Sequence, residues 1–164
     1  MHSFPKSSIK AARLLFILYL LILLYILFLT QNRSDTFGEY NLIPFRNILM
    51  FFRYYFVYHE FTFLEWFENI FGNILLLVPF GVLLPFVCGR RMPLVLIVLL
   101  AALFSIVVEA VQYFSGLGEL DIDDVLLNLF GGFIGGSIAC RAERAVSRLL
   151  DRCAKLFTLT NDPD

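Results

Sequence analysis

The stretch PLVLIVLLAALFSIVVEAVQYF, residues 93–114, decides the fold, because its 22 positions hold a single charged residue, Glu109. A helix of this length measures about 33 Å at about 1.5 Å per residue, which is enough to cross the hydrocarbon core of a bilayer. Three more apolar segments lie at residues 11–30, 70–87 and 124–140, the last of them short. The sequence therefore predicts an all-α integral membrane protein with about four transmembrane helices.

The composition also indicates lipid surroundings. Hydrophobic residues make up 59% of the 164 residues and charged residues only 16%, whereas soluble domains are near half apolar and about a quarter charged. The net charge of -1 gives no indication of a nucleic-acid partner. Cys88, Cys140 and Cys153 form no C-x-x-C pair, and His2 and His59 are isolated, so the sequence favours neither a disulfide nor a zinc site.

Basic residues are distributed unequally between the two sides that four crossings create. The N-terminal flank, the loop between the second and third spans and the segment after the fourth carry ten of the 13 Lys and Arg. The positive-inside rule places that side in the cytoplasm. We therefore expect residues 1–10 to be a cytoplasmic N-terminus, residues 11–140 a transmembrane domain, and residues 141–164 a charged cytoplasmic tail. Residues 141–155 of the tail could continue the last helix.

An amphipathic segment lies between the first and second spans. Its apolar positions follow helical spacing and share one face; they are Phe45, Ile48, Leu49, Phe52 and Phe56. Arg46 and Arg53 flank this face. The pattern is typical of a helix in the membrane interface, and packing against the other helices is the alternative that the sequence leaves open.

Two of the spans contain residues that weaken isolated helices. Pro79 and Gly81 interrupt residues 70–87, which membrane helices tolerate when neighbours satisfy the freed backbone groups. Residues 124–140 carry glycines in two overlapping small-xxx-small pairs, which permit close helix packing. These glycines are Gly131, Gly132, Gly135 and Gly136.

Polar residues within the spans need partners or water, because hydrocarbon supplies neither. Helical spacing and the predicted topology place them near the outer ends of three helices, opposite the basic flanks. The candidate site comprises Asn73, Glu109, Gln112, Asp121, Asp123, Asp124 and Asn128. Arg46 and Arg53 are candidate cationic partners. Glu109 and Asp124 are then either bridged by a cation or share a proton.

A structural explanation of the same residues stays open. Asn and Gln side chains cross-link membrane helices by hydrogen bonds, and Asp121, Asp123 and Asp124 could cap the last helix. Glu109 is difficult to explain in this way, because a carboxyl group in a membrane must be protonated, paired or hydrated.

Four sequence pieces resemble the VanZ-like membrane proteins. They are Asn41-Leu-Ile-Pro-Phe45, Asn73-Ile-Leu-Leu-Leu-Val-Pro-Phe-Gly81, Glu109-Ala-Val-Gln112 and Asp121-Ile-Asp-Asp-Val-Leu-Leu-Asn128, followed by Gly131-Gly132. They occur in the family's order across residues 41–136. Family members often carry an Arg shortly before the Asp-x-Asp-Asp, where this chain has Ser115-Gly-Leu-Gly-Glu119.

The resemblance implies a bacterial cytoplasmic-membrane protein that faces the cell envelope. The family is named for an accessory protein that lowers susceptibility to teicoplanin, a glycopeptide with an acyl chain. The first functional hypothesis is a non-enzymatic protein that alters how a lipid-like or lipoglycopeptide ligand sits in the outer leaflet.

The second hypothesis is an enzyme that acts on a lipid-linked substrate through the outward acidic residues, with a divalent cation as a candidate cofactor. A transporter is less favoured, because four helices without internal repeats are few for that function. Membrane lipid is the expected partner, and the oligomeric state stays open.

Overall fold

The computed structural model of the chain describes residues 6–29, 40–60 and 62–160. Its helices and strands are α1 (Lys6–Leu29), β1 (Tyr40–Asn41), α2 (Arg46–Arg53), α3 (Phe63–Phe67), α4 (Asn73–Val87), α5 (Leu94–Ser115), β2 (Leu120–Asp121) and α6 (Ile122–Thr160). Two π-helical turns, Tyr54–Tyr58 and Glu68–Gly72, follow α2 and α3.

Among the described residues, four helical segments are long and apolar enough to cross a membrane: Lys6–Phe28, Phe63–Val87, Leu94–Ser115 and Ile122–Leu150. An apolar segment in lipid becomes helical because a helix satisfies every backbone polar group within the segment itself. The predicted all-α membrane fold with four spans and a helical segment between the first two is confirmed.

The second and fourth spans are longer than the sequence predicted. Helical backbone starts at Phe63 rather than at residue 70, because Thr62 and Glu65 form a capping box in which each side chain accepts the other's backbone N–H. The last helix runs on to Thr160 instead of ending at residue 140, so residues 141–160 extend it. Residues 1–5, 30–39, 61 and 161–164 of the predicted segments lie outside the described residues.

The packing of α4 on α6 depends on glycine. A Cβ atom at Gly131 would overlap the carbonyl oxygen of Ile74, and one at Gly135 would overlap that of Val78. On the other side of the contact, a Cβ at Gly81 would overlap the backbone of α6. The two backbones therefore approach as closely as small-xxx-small packing allows.

The remaining two glycines of the stripe face α5. A Cβ at Gly132 would overlap the side chain of Ala101, and one at Gly136 would lie 3.0 Å from Cγ2 of Ile97. One stripe of α6 thus packs against α4 on one side and against α5 on the other.

The first helix packs along α4. Leu23 and Leu27 are buried in this contact, and the hydroxyl of Tyr19 donates a hydrogen bond to the carbonyl oxygen of Leu76 at 2.7 Å. The opposite face of α1 is open, and the side chain of Leu14 is 69% exposed. Such an apolar outer face is what a lipid-facing helix presents.

Contacts between helix termini give the bundle two chemically different ends. Nε of Arg13 donates to the carbonyl oxygen of Val87 at 3.3 Å, and Nη2 of Arg91 donates to Oγ of Ser147 at 2.8 Å. The start of α1, the loop 88–93 and the second half of α6 therefore lie together, and we call this the basic end. The strands and the start of α6 form the acidic end.

Residues 46–60 and 62–72 are here called the aromatic hairpin, and their apolar face is not covered by the described residues. Leu49 is 61% exposed and Phe56 is 56% exposed. Its rings cluster with one another, with Trp66 stacked on Tyr55 and meeting Phe52 edge-on, both at 5.5 Å between ring centroids. This exposure favours the interfacial arrangement over packing against the other helices.

The glycine contact predicts a sharp difference between two similar substitutions. We expect Gly131→Ala to lower the stability of the folded protein by about 1–3 kcal/mol or more, because the new Cβ overlaps the backbone of α4. Gly72→Ala is the matched control, since a Cβ there meets nothing within 4 Å. Thermal unfolding in detergent measures both, and equal stability of the two variants would contradict the close approach of α4 and α6.

Candidate polar site at the acidic end

A two-residue parallel bridge joins distant parts of the chain at the acidic end. Tyr40 pairs with Leu120 and Asn41 with Asp121. Because α6 follows β2 directly, the bridge brings the segment before α2 beside the start of α6. The aromatic hairpin is thereby attached to the bundle at this end.

Asp123 caps the start of α2, a helix distant in sequence. Its carboxylate accepts hydrogen bonds from the backbone N–H groups of Phe45, of Asn47 at 2.8 Å and of Ile48 at 3.1 Å. The first N–H groups of a helix lack partners within the helix, and the helix dipole attracts an anion there. Asp123 is 1% exposed, so these donors satisfy a buried carboxylate.

Phe45 shows how tightly this junction is held. It precedes α2 in the left-handed conformation, with φ of 65°, which is unfavourable for a residue with a bulky side chain. Its N–H donates to Asp123 in that conformation. The cap therefore maintains a sharp turn of the chain into α2.

Asp121 connects β1, α2 and the start of α6 through both carboxylate oxygens. Oδ1 accepts from Nδ2 of Asn41 and from the N–H of Asp123, both at 2.9 Å, and Oδ2 accepts from Nδ2 of Asn47 at 2.7 Å. The bond to Asp123 is an ordinary N-cap of α6. The amides of Asn41 and Asn47 extend this cap into a link to β1 and α2.

Glu109 on α5 and Asp124 on α6 form what we call the acid pair. Glu109 is 4% exposed, and its Oε2 accepts from the N–H of Asp121 at 3.2 Å. Oδ1 of Asp124 accepts from Nδ2 of Asn73 on α4 at 2.6 Å. Because Glu109 contacts the backbone three residues before Asp124, the two carboxyl groups lie at the same end of the bundle.

Asn128 and Gln112 join helices below the acid pair. Nδ2 of Asn128 donates to Oγ of Ser105 at 3.1 Å, while its buried Oδ1 accepts no hydrogen bond from the described residues. Nε2 of Gln112 donates to the carbonyl oxygen of Leu27 at 3.2 Å and so connects α5 to α1. These contacts are of the kind that cross-links membrane helices.

The structure does not bring the two candidate cations to the acid pair. Arg46 is exposed on α2. Arg53 donates from Nη2 to the hydroxyl of Tyr58 at 2.9 Å, and its guanidinium lies 5.7 Å from the centroid of that ring. Backbone N–H groups and Asn side chains donate the described hydrogen bonds to Glu109, Asp121, Asp123 and Asp124.

The arrangement sets limits on its chemistry. Within the described ranges, no three His, Cys, Asp or Glu side chains are grouped to hold a metal ion. Two adjacent carboxyl groups repel when both are ionised, and a proton shared between them removes the repulsion. The acid pair is therefore suited to accept a cationic or hydrogen-bond-donating group, or to transfer a proton.

Two polar participants escaped the sequence-based search for a site. Asn41 belongs to the first motif of the family resemblance but received no role, and Asn47 lies between residues assigned to an interfacial helix. Helical spacing places Ser105 on the same face of α5 as Glu109 and Gln112, and the structure adds that its Oγ accepts a hydrogen bond from Asn128.

Comparison with known proteins identified one family. A family model described as VanZ/LLP1 matches residues 16–143, which include all four motifs and most of each spanning helix. Comparisons with curated proteins and with solved structures found no match. The family match confirms the resemblance seen in the sequence.

The cap on α2 predicts the behaviour of an Asp123→Asn variant. The amide replaces an acceptor oxygen by an NH2 group, so at least one N–H at the start of α2 loses its partner. We expect local opening to become easier by about 2 kcal/mol, and amide hydrogen exchange at Asn47 and Ile48 to accelerate about thirtyfold. Glu68→Gln, at an exposed carboxylate of the hairpin, is the control. Unchanged exchange in Asp123→Asn would show that the cap does not hold the hairpin.

Proposed function

The chain belongs to the VanZ/LLP1 family, and we propose that it acts at the outer face of the bacterial cytoplasmic membrane, where it binds a lipid-like or lipoglycopeptide ligand and thereby alters its effect on the cell envelope. The observation that carries this proposal is the acid pair at the acidic end, formed by buried Glu109 and half-buried Asp124.

The acid pair supplies polar recognition. Glu109 accepts one hydrogen bond, from Asp121, and Asp124 accepts one, from Asn73, within the described structure. Ionised carboxylates have capacity for several hydrogen bonds. A ligand with an amine or several hydroxyl groups could donate hydrogen bonds to the remaining acceptor positions. The sugars and amines of a glycopeptide carry such groups.

The aromatic hairpin supplies apolar recognition. Leu49 and Phe56 expose more than half of their surface, and exposed aromatic and aliphatic side chains at a membrane interface contact acyl chains. A ligand that combines an acyl chain with polar groups could therefore contact the hairpin and the acid pair together. Teicoplanin-like molecules combine these two features.

An enzyme that acts on a lipid-linked substrate is the second candidate, and the adjacency of two carboxyl groups favours it. One carboxyl could accept a proton while the other donates one. Thermal stability in detergent that responds to Mg²⁺ or Ca²⁺, and loses the response in Asp124→Asn, would favour a metal-assisted reaction over ligand binding alone.

Isosteric variants of the acid pair test the proposal. We expect Glu109→Gln and Asp124→Asn to reach the membrane at normal levels and to lose the ability to lower teicoplanin susceptibility when expressed in a sensitive bacterium. A lost hydrogen bond to a charged group weakens ligand binding by about tenfold or more. The minimum inhibitory concentration reports the effect.

Two controls separate this outcome from misfolding and from a general change of the envelope. Arg148→Gln, at an exposed position of α6 distant from the acid pair and the aromatic hairpin, should keep the wild-type phenotype, and a glycopeptide without an acyl chain should be affected less than teicoplanin. Full activity of both acid-pair variants would overturn the proposed site, and loss of membrane insertion in both would make the pair structural.

The proposed location requires both termini in the cytoplasm, as the distribution of Lys and Arg predicts. A phosphatase that is active only outside the cytoplasm should be inactive when fused after Asp164. The same enzyme inserted after Gly118, in the loop between α5 and β2, should be active. The reverse pattern would turn the acidic end toward the cytoplasm and contradict an outer-face function.

A further inference from the structure

A second site candidate lies at the basic end, distant from the acid pair. A cavity of about 640 Å³ opens between the start of α5 and the middle of α6. Glu143 in its wall is 19 residues beyond Asp124 on the same helix, about 28 Å along the axis at about 1.5 Å per residue. The cavity and the acid pair therefore occupy opposite ends of the bundle.

The lining of the cavity combines three kinds of surface. Arg91, Arg141 and Arg144 supply guanidinium groups, and Glu143 supplies a carboxylate. Apolar walls come from residues on both helices, among them Phe133, which is 44% exposed. A ligand that fits all three surfaces carries an anionic group, a cationic group and an apolar portion.

The walls of the cavity are fixed by contacts between the loop 88–93 and α6. Nη2 of Arg91 donates to Oγ of Ser147 at 2.8 Å, and the thiol of Cys140 lies 3.7 Å from the carbonyl oxygen of Met92. Nε of Arg144 donates to the carbonyl oxygen of Cys140 at 3.0 Å, which leaves its terminal nitrogens without a described acceptor. Arg91 and Arg144 are thus held in place, and Arg144 keeps donors for a ligand.

Glu143 is the observation that points to a ligand. Its side chain is 7% exposed, and its buried Oε1 accepts no hydrogen bond from the described residues. A buried polar atom without a partner is costly, and Glu143 belongs to the lining of a cavity large enough for a headgroup. An ammonium group in the cavity would give the carboxylate of Glu143 both a donor and an opposite charge.

We propose that this cavity binds the headgroup of an ethanolamine phospholipid from the membrane leaflet at the basic end. The phosphate contacts the guanidinium groups of Arg141 and Arg144, the ammonium group donates to Glu143, and the acyl chains leave along the apolar side that includes Phe133. Guanidinium groups match phosphate oxygens through paired N–H donors.

Two features favour this lipid over other phosphate-bearing ligands. The apolar wall and the position at the end of spanning helices favour a lipid over free phosphate, since basic pockets between membrane helices commonly bind lipid headgroups. A carboxylate within the cavity disfavours headgroups that carry only negative charge, because it would repel them. The ammonium group of an ethanolamine headgroup would instead form a hydrogen-bonded ion pair with the carboxylate of Glu143.

Native mass spectrometry of the full-length protein tests the proposal. The protein is purified in detergent with equimolar phosphatidylethanolamine and phosphatidylglycerol of identical acyl chains. The retained lipid is then identified and quantified from the mass of the complex. We expect preferential retention of phosphatidylethanolamine. The double variant Arg141→Gln/Arg144→Gln should retain about tenfold less of it or lower still, whereas Arg148→Gln, at an exposed arginine of α6 outside the cavity, should retain the wild-type amount.

Glu143→Gln separates the headgroups without a large change of shape. It should reduce the preference for phosphatidylethanolamine over phosphatidylglycerol by about tenfold, and this readout stands even if the double arginine variant does not fold. An unchanged preference in Glu143→Gln, equal loss in Arg148→Gln, or displacement of the lipid by millimolar inorganic phosphate would each overturn the proposal. Because the acid pair is not involved, failure of this test leaves the proposed function unaffected.

Discussion

The carboxylate of Asp123 is the constraint on which the arrangement of the acidic end depends. A buried carboxylate needs several donors, and the first turn of α2 has N–H groups that need an acceptor. Each requirement is met by the other, through bonds to Phe45, Asn47 and Ile48. The start of the aromatic hairpin is therefore fixed to α6, and its apolar face points away from the described helices.

The hydrogen bonds at the acidic end divide its four carboxyl groups into two pairs. Asp121 and Asp123 receive hydrogen bonds on both of their oxygens from backbone N–H groups and Asn side chains. Among the described residues, Glu109 and Asp124 receive one each. We therefore expect loss of a saturated carboxylate to affect the fold first, whereas an unsaturated carboxylate keeps hydrogen-bonding capacity for a ligand. The cluster of Asp and Glu that looked uniform in the sequence is therefore partly scaffold and partly a candidate ligand site.

The spans could be predicted from sequence because an apolar segment in lipid has essentially one way to satisfy its backbone. Residues 93–114 accordingly differ from α5, Leu94–Ser115, by one residue at each end. The cap of α2 by Asp123 could not be predicted, because an Asp beside a helix start is normally read as the cap of that helix. The β1–β2 bridge was equally hidden, since strands of two residues have no periodicity to detect and their partners are 80 positions apart.

The length of α6 relates the two ends of the molecule. Its glycine stripe contacts the backbone of α4 and side chains of α5, and such close packing resists axial sliding because any shift would bring a side chain into the space that glycine leaves. Asp124 and Glu143 are therefore held at fixed positions on one continuous helix, separated by about the thickness of a hydrocarbon core. Asp124 lies beside another acid, and Glu143 lies among arginines. If the two ends of α6 lie at opposite faces of the membrane, as proposed, this one helix would present a different binding site to each leaflet.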